Sequence, residues 1–306
     1  MIYPVIFGIE GTALNPHERD LFQNHPPAGY ILFARNIESS AQLKMLVDSL
    51  VKLAPDQPPM ILIDQEGGRV QRMRPPLFPD WQAAGEFASL YDQAPDSALN
   101  ACYDSNYQMA KLLKEHGITV NCTPVLDIAV EGASDIVGDR AYGQDWQQIL
   151  PLASCVMQAH LDAGITPVIK HIPGHGRALQ DSHFDLPIID ASFDDLAAED
   201  FEIFKQITQK FKNHHAFHAM SAHVLLTAID ADQPITLSKT GIETIIRGHI
   251  GYKGMLISDD ICMKALSANL SASDIALKAL EAGCDLVLHC NGDIQEMTAI
   301  LTILSA

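Results

Sequence analysis

The chain has 306 residues, 38 of them acidic and 20 basic, for a formal net charge of −18 at neutral pH. Such an acidic excess excludes broad attraction to nucleic-acid phosphates or anionic lipid surfaces, which need an excess of Lys and Arg. With 47% hydrophobic, 19% charged and 7% aromatic residues, the composition is that of a globular protein with a sizeable core, not of a disordered or low-complexity chain.

At the start, Met1 to Phe7 carries neither a basic segment nor a small-residue cleavage site, and its apolar run is broken by Pro4 and ended by Gly8 and Glu10. No run approaches the roughly 18 apolar residues of a membrane span, so a cytoplasmic protein is expected. From there, short β-rich runs alternate with longer amphipathic stretches. Strands are expected over residues 5–8, 29–33, 60–64, 119–122, 167–170, 219–222, 255–258 and 285–288. Helical patterns fall over 41–53, 99–116, 145–163, 193–211, 240–248, 271–282 and 294–304. Ser40, Ser192 and Ser271 are N-cap candidates, and Gly164, Gly248 and Gly283 stand where a helix would stop. The cysteines, Cys102, Cys122, Cys155, Cys262, Cys284 and Cys290, form no C-x-x-C pair and read as buried free thiols.

Strands interleaved with helices predict a parallel sheet with right-handed crossovers, and eight strands close a barrel. The expected fold is therefore α/β: a single (β/α)8 TIM-type barrel over 1–306, with its active site at the C-terminal ends of the strands. An open doubly wound sheet is the alternative, and it calls for a switch point and a Gly-rich first turn. Gly174-His-Gly176-Arg-Ala-Leu179 lacks the third glycine of a dinucleotide-binding turn, and no P-loop occurs.

The unusual residues lie just after the expected strands, where a barrel carries its chemistry. Asp64-Gln-Glu-Gly-Gly-Arg-Val-Gln-Arg72 follows the third, Asp127 the fourth, and Lys170-His-Ile-Pro-Gly-His-Gly176 the fifth. Ser221-Ala-His223 and Ser258-Asp-Asp260 end the sixth and seventh. Asp259-Asp260 reads either as a solvated loop or helix cap, or as a carboxylate placed to attack an electron-poor carbon. The stretch 171–187 is long for a βα loop, and its Pro173, Gly174 and Gly176 suit a hinged flap. Its Asp181 and His183 suit a tautomer-fixed acid/base pair, or else sit incidentally in a surface turn. His171 and His175 stand four apart, but Pro173 and Gly174 between them oppose the helix that would aim both at a metal. A lysine ending an apolar strand, as Lys170 does, must reach solvent, hold a hydroxyl-rich or anionic ligand, or pair with a carboxylate such as Asp64 or Asp127. Arg72 and Arg140 read equally as surface arginines or as site residues.

Lys170-His-Ile-Pro-Gly-His-Gly176 followed by Asp181-Ser-His183 resembles the signature of the bacterial β-N-acetylhexosaminidases of glycoside hydrolase family 3. Leu32-Phe-Ala-Arg-Asn36, Asp64 to Arg72, Ser258-Asp-Asp260 with Met263, and Ala282-Gly-Cys-Asp285 fit in the same order, so the resemblance covers nearly the whole chain. It implies retaining exo-hydrolysis of terminal non-reducing β-N-acetylglucosamine from muropeptides, chiefly those whose next sugar is 1,6-anhydro-N-acetylmuramic acid, in peptidoglycan recycling. Carried over by motif, Asp259 is the nucleophile, His183 the acid/base and Asp181 its orienting partner. Asp64, Arg72, Arg140, Lys170 and His171 bind the sugar. In that arrangement Lys170, Arg72 and Arg140 form a local cationic patch on an acidic protein.

No cofactor or metal, no nucleic acid and no membrane is expected; the partner is a saccharide or muropeptide substrate, and the chain is expected to act as a monomer. A phosphorylase using phosphate in place of water, or a muropeptide sensor without turnover, are the alternatives. Gly8 departs from relatives, which often carry aspartate there.

Overall fold

Period-two alternation of side chains decides how this chain closes. The computed structural model describes residues 1–130, 132, 137–178, 186–267 and 270–305. Its strands, in chain order, are β1 (Tyr3–Gly8), β2 (Pro27–Leu32), β3 (Met60–Ile63), β4 (Val120–Asn121), β5 (Thr166–Ile172), β6 (Ile188–Ile189), β7 (His218–Ser221), β8 (Leu225–Leu226), β9 (Leu256–Asp260) and β10 (Leu286–His289). All but β6 and β8 form a closed barrel in the order β1-β10-β9-β7-β5-β4-β3-β2, every neighbouring pair parallel. Because β1 pairs with both β2 and β10, the doubly wound alternative is excluded, and all eight expected strands are barrel strands. β6 and β8 form a separate two-stranded ladder in the connections on either side of β7.

Inward positions supply one cluster: Ile6, Ile31, Leu62, Val120, Val168, Met220, Ile257, Leu286 and Leu288. Outward neighbours such as Phe7, Tyr30, Ile61, Ile63, Ile169, Leu256 and Val287 join the larger cluster beneath the helices. Each buried aliphatic side chain contributes about 1.5–3 kcal/mol, and a one-residue register slip would exchange the two layers and disrupt the packing of both. The same alternation carries the site. Two residues beyond an inward Ile31, Leu62, Val168, Ile257 or Leu288 stand Phe33, Asp64, Lys170, Asp259 and Cys290, and all five line one cavity.

The helices are α1 (Pro16–Asn24), α2 (Ser40–Val51), α3 (Ala84–Gln93), α4 (Pro95–Glu115), α5 (Trp146–Ala163), α6 (Phe193–Ala198), α7 (Asp200–Lys210), α8 (Lys264–Ser267), α9 (Ala272–Ala282) and α10 (Ile294–Leu304). Ser192 and Ser271 cap α6 and α9 as expected, and Gly164 and Gly283 end α5 and α9 with positive φ. Two signals fall elsewhere. Ser39, not Ser40, accepts the capping bond of α2, from the Gln42 amide. Gly248 lies inside a π-helix, Gly241–His249, instead of ending it. The expected helix 193–211 is two, divided at Glu199. Among the described residues no helix is long and apolar enough to cross a membrane, and all six cysteines are free thiols, four of them buried and Cys155 and Cys262 partly so.

Candidate active site

After β3 the chain must fold back sharply to keep Asp64, Glu66 and Arg72 together. Gln65 does this from beneath: its side-chain oxygen accepts from the amides of Arg72 and Met73, while its own amide donates to Asn121 Oδ1. Gly67 and Gly68, at φ +102° and +53°, make the turn, and a Cβ on Gly67 would stand 2.2 Å from the Gln82 carbonyl oxygen. After β5, the chain from His171 to Ala178 packs down on the barrel. His175 and Ala178 are buried, and a Cβ on Gly176 would stand 2.0 Å from the Ile128 carbonyl oxygen. The expected flap thus begins as a packed segment, and its far end enters β6. Asp181 and His183 fall outside the described residues.

The cavity at the C-terminal mouth of the barrel encloses about 290 Å³, the scale of one small ligand. Asp64, Arg72, Arg140, Lys170, His171 and Asp259 all line it, so every sugar-binding candidate and the nucleophile candidate meet at one place. Glu66, His175 and Asp260 join them.

An ion-pair network fills one side. Asp64 accepts from Arg72 Nη2 and Lys170 Nζ, each at 3.0 Å, and Glu66 Oε1 lies 2.6 Å from the same Lys170 Nζ. Arg140 grips Glu66 with two parallel bonds of 2.8 Å. The expected cationic patch is tempered: its three cations share two carboxylates, Asp64 and Glu66, so each is paired and the group keeps a single positive charge in excess, because an unpaired charge buried this deeply would be too costly. Burial alone would push both carboxyls up, but Lys170 and Arg72 hold Asp64 well below the carboxylate range, and Arg140 and Lys170 bring Glu66 down to about 2.

This depression has a consequence for acid stability. Glu66 ionises at about 2 in the fold and near 4.5 otherwise, so its contribution is complete above pH 4.5 and fades as the pH falls toward 2. Glu66→Gln removes that dependence, and its melting temperature should vary less steeply than wild type between pH 4.5 and 2.5 in thermal denaturation. An unchanged slope would refute the assignment.

Across the cavity, Asp127 is fully committed. It accepts from His171 Nδ1 at 2.6 Å and from the His175 amide at 2.7 Å. The Lys170 partner offered by the sequence is thus Asp64, with Glu66, and Asp127 orients His171 instead. His175 is driven down by burial, outweighing the nearby Asp127 charge, and its buried Nε2 has no partner among the described residues.

Asp259 stands at the end of β9. Burial works against its charge, but His171, His223, the Asp260 amide and Lys170 outweigh it and keep the carboxyl below the ordinary range. The Asp260 amide donates to Asp259 Oδ1 at 2.8 Å. Behind it, His223 Nε2 donates to the Asp260 carbonyl at 3.0 Å and Nδ1 meets Thr236 Oγ1 at 2.8 Å, which fixes the strand end. Asp260 is a backbone anchor, accepting from the amides of Cys262 and Cys290.

A carboxylate held ionised in the wall of a small cavity lined by charged groups suits covalent attack on an anomeric carbon. The pattern of the glycosyl hydrolase family 3 N-terminal domain matches residues 7–306. The chain belongs to that family. A "Beta-hexosaminidase" of Methylobacillus flagellatus is 37% identical over 295 residues, covering 94% of this chain and 80% of that protein. Among solved structures, NagZ from Neisseria gonorrhoeae in complex with N-trifluoroacetyl-D-glucosamine superposes with a TM-score of 0.86 at 29% identity, covering 98% of this chain and 89% of that one. The family 3 β-N-acetylglucosaminidase of Paenibacillus sp. str. FPU-7 gives 0.87 at 29% identity, and there the match covers 98% of this chain and 56% of the other.

Three residues that the structure brings to this site take no such role from the sequence: Glu66, Asp127 as an orienting group, and His175, which the sequence offers only as a metal ligand. Glu66 and His175 were visible inside quoted motifs, but only tertiary pairing reveals that one shares Lys170 and the other faces the cavity.

Proposed function

We propose that this barrel is a β-N-acetylhexosaminidase, which removes terminal non-reducing β-linked N-acetylglucosamine from 1,6-anhydro-N-acetylmuramic acid fragments in peptidoglycan recycling, with retention of configuration. The observation that carries this reading is Asp259, kept anionic in the wall of a cavity whose charged groups are largely held in place by pairing. Asp259 attacks the anomeric carbon and forms a glycosyl ester. His183, oriented by Asp181, protonates the leaving oxygen and then activates water. Asp64, Arg72, Arg140, Lys170 and His171 bind the ring; Arg72 Nε and His175 Nε2, buried and without a partner among the described residues, are polar groups that sugar hydroxyls would satisfy. The barrel 1–306 is the catalytic unit, acting as a cytoplasmic monomer without a metal or cofactor.

The division of labour between the two histidines tests this. His171 Nδ1 is tied to Asp127, so its free Nε2 serves binding. With p-nitrophenyl β-N-acetylglucosaminide, His171→Ala should raise KM with a modest loss in kcat. His183→Ala should lower kcat on a substrate with a poor leaving group by about 10²–10⁴-fold. Product analysis should find the β-anomer of free N-acetylglucosamine, at a rate indifferent to phosphate. A sugar 1-phosphate would replace this reading with the phosphorylase, and a folded protein without turnover would replace it with the sensor.

A further inference from the structure

Gly8 ends β1 at the cavity mouth, and a Cβ there would stand 2.2 Å from the Cys290 carbonyl oxygen and 3.0 Å from Arg35 Nη2. The space is taken, so β1 sends no carboxylate toward Arg35. That guanidinium donates instead to two backbone carbonyls, from Nε to Ile9 at 2.9 Å and from Nη2 to Cys290. It lies 4.7 Å from the centre of the Phe33 ring, with Arg72 5.1 Å from the same ring. Phe33 and Cys290 are part of the cavity wall, and Arg35 itself is exposed.

Among the described residues no carboxylate lies within ion-pair distance of Arg35, whereas Arg72, Arg140 and Lys170 are each paired. Two carbonyls and an aromatic face fix its orientation without cancelling its charge, and its remaining N–H groups stay available. Inside the cavity Arg72, Arg140 and Lys170 face four carboxylates, Asp64, Glu66, Asp259 and Asp260, so its lining offers an anion no cationic excess.

We propose that Arg35 is an anion-recognition residue at the mouth of the cavity, binding a carboxylate on the unit beyond the scissile bond. This rests on the glycosidase reading, since an exo-acting enzyme encloses the terminal sugar and leaves the next unit at the rim. A muramic-acid unit brings a lactyl carboxylate there, and a guanidinium meets a carboxylate with two parallel bonds. Arg35 selects among substrates without touching the reacting atoms.

The test compares kcat/KM on N-acetylglucosaminyl-1,6-anhydro-N-acetylmuramic acid with its lactyl carboxylate free or converted to the amide. Wild type should prefer the free acid about tenfold, and the preference should shrink as salt rises. Arg35→Gln should abolish the preference, and Arg35→Lys, which keeps the charge and loses the fork, should retain part of it. A wild type that hydrolyses both forms equally, or an Arg35→Gln variant that loses activity on both to the same degree, would overturn the proposal and leave Arg35 a structural clamp on Cys290. Failure of wild type to hydrolyse either form would instead overturn the glycosidase reading.

Discussion

Asp259→Asn should lower kcat on p-nitrophenyl β-N-acetylglucosaminide by about 10⁴-fold or more, since removal of a covalent nucleophile typically costs that much. The substitution keeps the side-chain shape and leaves the cavity its size. Because the surroundings of Asp259 favour its ionised form, the melting temperature at pH 7 should fall modestly, and the difference from wild type should close as the pH drops through the carboxylate range, while turnover disappears throughout. Fold and chemistry are thereby separated. In Asp259→Ala, which does vacate the position, small anions such as azide should restore bond cleavage, giving the α-glycosyl azide. Residual wild-type-like turnover in Asp259→Asn would remove the carboxylate from the reaction and point to a mechanism through the acetamido group of the substrate.

Lys170→Met should produce the largest loss of stability among single changes at the mouth. Lys170 is only 2% exposed and shared by Asp64 at 3.0 Å and Glu66 at 2.6 Å. Methionine keeps much of its volume but leaves two carboxylates facing one another beside Arg72 and Arg140. Breaking a buried pair from one side costs about 3–5 kcal/mol, which urea denaturation at pH 7 measures directly. The sign of the pH dependence follows from the same network. Wild-type Asp64 and Glu66 ionise below their ordinary range, whereas in the variant they take up protons more readily. The gap between the two proteins should therefore narrow as the pH falls from 7 toward 4. A gap that stays constant would mean that the loss comes from packing and not from unpaired charge.

Much of the fold was legible because the barrel strands are short apolar runs separated by amphipathic stretches of the right length. Three helices escaped notice: α8 is a single turn, and the other two were missed for different reasons. α1 carries a readable start, Asn15-Pro16-His-Glu18, with a reciprocal capping box between Asn15 and Glu18, but its face is too polar to register as a periodic run. α3 has Ala83 at its N-cap, a residue without a capping side chain, and the Ala83 amide donates to Glu86 instead. In the site, strand parity made Asp64, Lys170 and Asp259 readable, since each lies two residues past an inward apolar position. Partners were not readable in the same way. Whether Lys170 meets Asp64, Glu66 or Asp127 depends on how neighbouring strands are staggered, and Arg35 gains its meaning only from the closeness of Gly8 to the Cys290 carbonyl.

The seam of the barrel joins β1 to β10, so residues 3–8 find one of their two neighbours almost three hundred positions later, as in the pairing of Phe7 with His289. During synthesis the first strand therefore waits with one open edge until β10 has emerged, and closure cannot precede that. Shortening the chain into 286–304 would leave that edge permanently unpaired and free to add foreign strands. Residues placed ahead of Tyr3 burden no ladder, and a purification tag belongs at that end.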